Sequence, residues 1–277
     1  SVPYDQIKIT ATTTGKVPNT SATAASSGTD LNGMASLDAA QKIKKRMQAF
    51  LAEEAQCSLD KVKFINGKVI AGQETMSFAN AARRCYLGRI SLSATGFYAT
   101  PKIHWDKQKL KGRPFYYFAY GAAVTEVALD TLTGENRILR TDILHDVGRS
   151  LNPALDLGQI EGGYVQGTGW LTTEELIWND HGRLMTHAPS TYKIPACADR
   201  PIDFRVRLFE GSENSENTIH KSKAVGEPPL MLAISVLLAL SNALEAAGDS
   251  ETYPALDAPA TPERLLMQSV ARGASHG

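Results

Sequence analysis

At 277 residues the chain is long enough for one large domain or two lobes with a shared core. Hydrophobic residues make up 43% and charged residues 21%, with 29 basic against 29 acidic, which excludes a disordered or fibrous chain. No basic stripe alternates with aromatics, which argues against a nucleic-acid surface.

The first residues, Ser1-Val2-Pro3-Tyr4-Asp5, carry no basic region, apolar stretch or cleavage site, so no signal peptide is expected. The missing initiator Met reads as a cut into a longer polypeptide. Ile7 and Ile9 alternate with Lys8 and Thr10, the pattern of a half-buried strand. A small-residue loop from Thr12 to Gly28 follows. Leu31, Met34, Leu37, Ala40, Ile43, Met47, Phe50 and Leu51 then recur at helical spacing and predict a helix from about Thr29 to Ala55. Asn66-Gly67 between Val62/Phe64 and Val69 signals a type I′ hairpin, and Ser77 can cap a helix reaching about Tyr86.

Strands are expected around Tyr116–Leu129 and Ile138–Val147, turned by Thr133-Gly134. Asn152-Pro153 precedes a glycine-rich helical region from Leu155 to Leu171, and His181-Gly182 marks another turn. Ile202, Phe204, Val206 and Leu208 alternate with charged residues, as a strand does. Pro228-Pro229 opens an apolar helix ending near Ala247, since proline suits a first turn whose amides lack partners. Its most apolar part, Leu230 to Leu240, is too short to span a bilayer and reads as a core helix. Thr261–Val270 also looks helical. The expected class is α+β, mixed sheets with packed helices, as one domain over 1–248 and a partly irregular extension over 249–277.

Three segments could carry chemistry. Glu227, directly before Pro228-Pro229, feels the positive end of a helix dipole, and Gly226 and the prolines hold it on a stiff mount, as suits a base. Electrostatic capping of a buried helix is the other reading. Five glycines between Gly158 and Gly169 cost a helix about 1 kcal/mol each, so close packing or a ligand against the backbone must offset them. The spacing is no dinucleotide fingerprint, because Thr172 stands where its last glycine would be. The loop Thr20 to Thr29 offers small residues and hydroxyls before a long helix, an anion cradle or an ordinary cap by Thr29 or Ser27.

The six histidines show no metal-ligand spacing. Adjacent strand residues His145 and Asp146 point to opposite faces, so His145 is read as structural and Glu174-Glu175 as a solvated helix end. Cys57, Cys85 and Cys197 form no ligand cluster, which argues against zinc or iron–sulfur sites in this chain and for a reducing, cytoplasmic compartment.

Five stretches together resemble the molybdenum hydroxylases of the xanthine dehydrogenase/aldehyde oxidase family: GKVPNTSATAAS at 15–26, ATGFYATPKIHWD at 94–106, DVGRSLNPALDLGQIEGGYVQG at 146–167, PSTYKIPA at 189–196 and KAVGEPPL at 223–230. The stretch at 94–106 is most similar to xanthine dehydrogenases. The resemblance implies a C-terminal molybdopterin-binding domain, a piece of a larger molybdenum subunit, in which Glu227 is the general base. It implies water-derived hydroxylation at a C–H carbon, of the kind that turns hypoxanthine and xanthine into urate. Ser26, Ser27, Gly28, Thr29 and Gln166 match cofactor contacts, and Ala24 and Ala25 match small residues of the substrate pocket. Gly28 stands where some relatives have Ser, which leaves a backbone contact there. The metal would be held by the pterin dithiolene, with no protein ligand.

The upstream cofactor motif, the substrate-clamping residues and the stacking aromatics of the family are missing here. The implied partners are therefore an upstream half of the molybdenum subunit and domains or subunits bearing 2Fe-2S and FAD, with NAD as acceptor and dimerisation of complete units. No nucleic acid or membrane partner is expected, and the chain alone is expected to be inactive. Relatives acting on aldehydes or other N-heterocycles are the alternative, and a non-catalytic assembly module the alternative of another class.

Overall fold

The computed structural model describes residues 2–11, 13–15, 23–248 and 251–273. The chain divides into two compact units, residues 1–103 and 104–277.

In the first unit the helical periodicity is realised as α1 (Gly28–Glu54). Its C-terminal half buries Met47, Leu51 and Ala52 against a three-stranded antiparallel sheet of β1 (Val62–Ile65), β2 (Lys68–Ala71) and β3 (Glu74–Ser77). Asn66 and Gly67 take φ of 47° and 74° and pair Ile65 with Lys68, as a two-residue primed turn requires. Ser77 caps α2 (Phe78–Leu87) by accepting from the Asn80 amide at 3.1 Å. The extended segment beyond α2 lies along α1. Arg46 Nη1 donates to the carbonyls of Ser91 and Ser93, Lys42 Nζ donates to that of Thr95, and the Phe97 amide donates to Asp38. The expected strand at Ile7–Ile9 is not formed. A 3-10 turn occupies Tyr4–Gln6, and both isoleucines are exposed, with no strand paired to them among the described residues, so their alternation has nothing there to bury against.

The second unit starts with a small antiparallel pair, β4 (His104–Asp106) and β5 (Lys111–Arg113). Its main sheet runs β6 (Gly121–Leu129), β7 (Asn136–His145) and β8 (Asp203–Leu208) in spatial order. β6 and β7 form a hairpin, and β8 joins β7 in parallel. Residues 116–120, expected as strand, precede it; β6 begins only at Gly121. Between β7 and β8 runs α3 (Pro153–Thr172), capped by Asn152, whose side chain accepts from the Leu155 amide at 3.3 Å.

After Glu227 come six residues of 3-10 helix, Pro228–Ala233, and then α4 (Ile234–Ala247). Together they make 20 residues that include an 18-residue window of mean hydropathy 1.9, long and apolar enough by length and composition to cross a membrane, which corrects the shorter estimate. Val236, Leu240 and Leu244 are nevertheless fully buried in the core of this unit, while Met231, Ile234 and Leu238 face outward. Ala260 and Leu265, the latter on α5 (Pro262–Ala271), belong to the same core.

A chain of hydroxyls ties these layers together. Tyr164 of α3, with no exposed surface, sets its Oη 2.8 Å from Thr141 Oγ1 and 2.9 Å from Thr125 Oγ1. Thr125 in turn reaches Ser235 Oγ at 2.7 Å. Helix, two strands and the start of α4 are thereby locked through groups that would be costly to bury unpaired.

Candidate active site

The candidate residues fall on both units, and each group is described where it stands. In the first unit Ala24, Ala25 and Thr29 are exposed or nearly so, and Ser26, Ser27 and Gly28 are partly covered. Thr20, Ser21 and Ala22 lie outside the described residues. Ala25 holds φ at +62°, a left-handed bend that turns the chain into α1. Ser27 occupies the N-cap position with φ −102° and ψ −4°, and its side chain makes no capping bond. Its Oγ instead points to the Ala24 carbonyl at 3.5 Å. The ordinary cap expected as one alternative is therefore not made by Ser27, which leaves the first-turn amides of α1 without its oxygen. Among the described residues a Cβ on Gly28 would meet only Thr23 Cγ2, at 3.5 Å.

In the second unit the glycines of α3 divide by environment. A Cβ on Gly163 would stand 3.1 Å from Pro229 Cβ, and one on Gly167 only 2.5 Å from the Leu230 carbonyl oxygen and 2.7 Å from Ala233 Cβ. These two glycines exist for close packing of α3 on the 3-10 helix that follows Glu227. Gly158 and Gly162 have open space instead, and with Gln166 they recur every fourth residue on the exposed face. Both alternatives read from the sequence thus have a glycine pair to apply to.

Glu227 is exposed at the N-terminal position of that 3-10 helix, with φ −103° and ψ −36°, and its carboxylate makes no capping bond. The Leu230 amide bonds back to the Glu227 carbonyl at 3.0 Å, and Pro228 and Pro229 contribute no amide hydrogens. Electrostatic capping of the helix needs no such side-chain bond, so this position serves that reading and a base alike.

Upstream of Glu227 the chain is held by a buried polar knot. His220 and Lys221 take φ of 47° and 65°, two successive left-handed residues at a cost of about 1–3 kcal/mol each. Buried Asn214 and Thr218 offset this by donating to the Ser222 carbonyl at 3.1 and 2.7 Å. Ser222 Oγ donates to the Ile219 carbonyl at 2.8 Å. Gly148 lies so close to this segment that a Cβ would stand 2.5 Å from the Lys221 carbonyl. Lys223 pairs with Asp146 in the interior, and that pair was not foreseen from the sequence. The only signal for it was that both residues fall inside the family-like stretches 146–167 and 223–230. Burial works against an ionised Asp146, but hydrogen bonds from Lys223, Gly148 and Ser212 outweigh it and hold the carboxyl below the usual carboxylate range.

His145, on the neighbouring face of the strand end, is 1% exposed and lies beside Gly121 and Leu232. Burial pushes its pKa down, so it is a neutral core histidine, as its structural reading supposed. Glu174 and Glu175 are not the solvated helix end expected. Glu174 accepts from Tyr192 Oη at 2.6 Å, and Glu175 pairs with Arg264 of α5 at 3.0 Å. Both tie other segments to the end of α3. Among the described residues no three His, Cys, Asp or Glu side chains gather as metal ligands.

The family profile of the molybdopterin cofactor-binding domain matches residues 1–201. A xanthine dehydrogenase of Oryza sativa subsp. japonica is 46% identical over 281 residues, covering 98% of this chain and 19% of its own length. A xanthine dehydrogenase/oxidase of Mus musculus is 47% identical over 270 residues, covering 95% and 19%. The chain thus spans about a fifth of these relatives. Among solved structures, quinoline 2-oxidoreductase of Pseudomonas putida 86 matches with TM-score 0.74 and 25% identity over 90% of this chain and 31% of its own. A copper- and molybdenum-containing carbon monoxide dehydrogenase matches in fold, with TM-score 0.78 and 19% identity over 95% of this chain and 32% of that one.

Proposed function

Because this chain belongs to the molybdopterin cofactor-binding domain family, we propose that it is the C-terminal part of a molybdenum hydroxylase that oxidises hypoxanthine and xanthine to urate. The purine reading is supported by 46–47% identity to xanthine dehydrogenases along nearly the whole chain. The residues present fit the cofactor. In the first unit the start of α1, with the hydroxyls of Ser26, Ser27 and Thr29, offers donors suited to an anionic pterin. In the second unit Gln166 is an exposed amide on α3. Ala24 and Ala25 leave room for a planar substrate.

When bound, the cofactor supplies the two-electron oxidising centre. Glu227 takes up, on a carboxylate oxygen, the proton that the water-derived oxygen loses as it is delivered to the substrate carbon. The upstream half of the subunit supplies the remaining cofactor and substrate contacts, domains bearing 2Fe-2S and FAD carry the electrons to NAD, and the chain alone is inactive. Dimerisation of the complete enzyme and a cytoplasmic setting complete this reading, the latter in keeping with three free thiols.

The observation that carries it is an exposed carboxylate at the head of a turn packed against Gly163 and Gly167. Glu227→Gln in the complete enzyme tests it, since only basicity is lost. Turnover should fall by about 10²–10⁴-fold at unchanged molybdenum content and melting temperature. Turnover within about threefold of wild type at full molybdenum occupancy would end the reading.

A further inference from the structure

The segment that carries Glu227 is fixed at both ends, and the upstream fixture is built more expensively than packing requires. Lys223 turns its ammonium into the interior: its side chain is 8% exposed and that of Asp146 10%, and Nζ donates to Asp146 Oδ2 at 2.5 Å. The Tyr120 ring covers the ammonium at 4.9 Å. Asp146 Oδ1 is occupied from its other side by the Gly148 amide and the Ser212 hydroxyl, both at 2.8 Å.

An interior ion pair is a poor source of stability, because desolvating both charges consumes most of their attraction and an apolar pair of similar volume does as well. What such a pair does supply is a short tie of fixed direction. The backbone around it is tied in the same place. The Lys223 amide donates to the Val147 carbonyl at 2.8 Å, the Arg149 amide to the Lys221 carbonyl at 3.0 Å, and the Ala224 amide to Tyr117 Oη at 2.9 Å. From there only Val225 and Gly226 intervene before Glu227, and beyond it the prolines already rest on α3. Val225 itself packs on the core. The base therefore hangs between two mounts with one glycine of slack.

We propose that Lys223, tied to Asp146, is a positioning residue that sets where the Glu227 carboxylate stands. The proposal rests on the reading of Glu227 as the base. It assigns Lys223 no contact with reacting atoms, and its effect passes entirely through Glu227.

The test uses the complete enzyme, with Lys223→Met made alone and in a Glu227→Gln background, and with kcat expressed per molybdenum bound. Lys223→Met should lower kcat about 10–100-fold, the scale of an ångström's misplacement, while KM stays within about threefold. In the Glu227→Gln background the same substitution should lower kcat no further, because no base remains to be misplaced. A merely structural lysine would reduce melting temperature and molybdenum content but leave kcat per molybdenum unchanged. If leaving Asp146 charged and alone prevents folding, Lys223→Met with Asp146→Leu removes both charges at similar volume and should show the same kcat loss. Wild-type kcat per molybdenum in these variants, or losses that multiply with that of Glu227→Gln, would overturn the positioning role and leave the base intact. Failure of the base itself would show instead as an active Glu227→Gln enzyme.

Discussion

Gly167→Ala tests whether the mount of Glu227 is as tight as its contacts imply. The new methyl would sit 2.5 Å from the Leu230 carbonyl oxygen and 2.7 Å from Ala233 Cβ, where unstrained carbon contacts lie at about 3.5–4.0 Å. One element must therefore move by about 1 Å. The nearest obstacle is the backbone of a 3-10 helix stiffened by two prolines, which cannot rotate away as a flexible side chain would. Overpacking of this kind costs about 3 kcal/mol, the upper end of its usual range. Alanine returns about 1 kcal/mol by its better helix propensity, leaving a net loss of about 2 kcal/mol. Gly162→Ala is the internal control, since nothing lies within 4 Å of its Cβ position. It should gain about 1 kcal/mol. The two variants should thus differ by about 3 kcal/mol, or at least about 1 M in urea midpoint at ordinary denaturant sensitivity. Urea denaturation of both in the same polypeptide, followed by circular dichroism, gives the comparison. Equal midpoints, or Gly167→Ala the more stable, would refute the close approach and with it the stiffness claimed for the base's mount.

Tyr164→Phe should cost about 1–3 kcal/mol, measured by the same denaturation, because it leaves the buried Thr141 hydroxyl short of its 2.8 Å partner; unchanged stability would mean the hydroxyl chain locks nothing. Buried His145 has a folded pKa held below its unfolded value of about 6.5, so below that pH the unfolded chain binds a proton that the folded one refuses, and stability should fall with pH there. His145→Leu should remove that part of the slope, and an identical pH profile would contradict the assignment. Ala25→Leu, at an exposed position, should leave stability within about 0.5 kcal/mol. It should nevertheless block turnover of the complete enzyme while molybdenum stays bound, and normal turnover would remove Ala25 from the substrate's path.

Elements with local signals were legible in the sequence. Asn66-Gly67, the Ser77 cap and the periodicity of α1 each involve residues a few positions apart, and each formed within a residue or two of its expected bounds. The misreadings share a cause in distant partners. Alternation at Ile7 and Ile9 specifies a strand only if another strand is there to receive it. β3 buries only Met76 and so carries too little apolar signal to be seen. Glu174 looked solvated because Tyr192 and the loop that brings it are remote in sequence. At the site, Glu227 was marked by its prolines, whereas Lys223 and Asp146 stand 77 positions apart and neither alone suggests an interior charge. The glycines of α3 were visibly unusual, but which of them packed and which lay open depended on a helix start some sixty residues downstream.

The route of the chain through its main sheet also orders events in time. β6 and β7 meet across a short connection and can pair locally, whereas β8 reaches β7 only after α3 and a long excursion. Contacts closed over long loops form late, because the loop's entropy is lost before the contact repays it. The 3-10 helix bearing Glu227 needs α3 already seated on that sheet, since its resting place is the face of Gly163 and Gly167. The carboxylate therefore takes its place only once α3 is seated, so the site depends on a contact that the chain closes over some sixty residues.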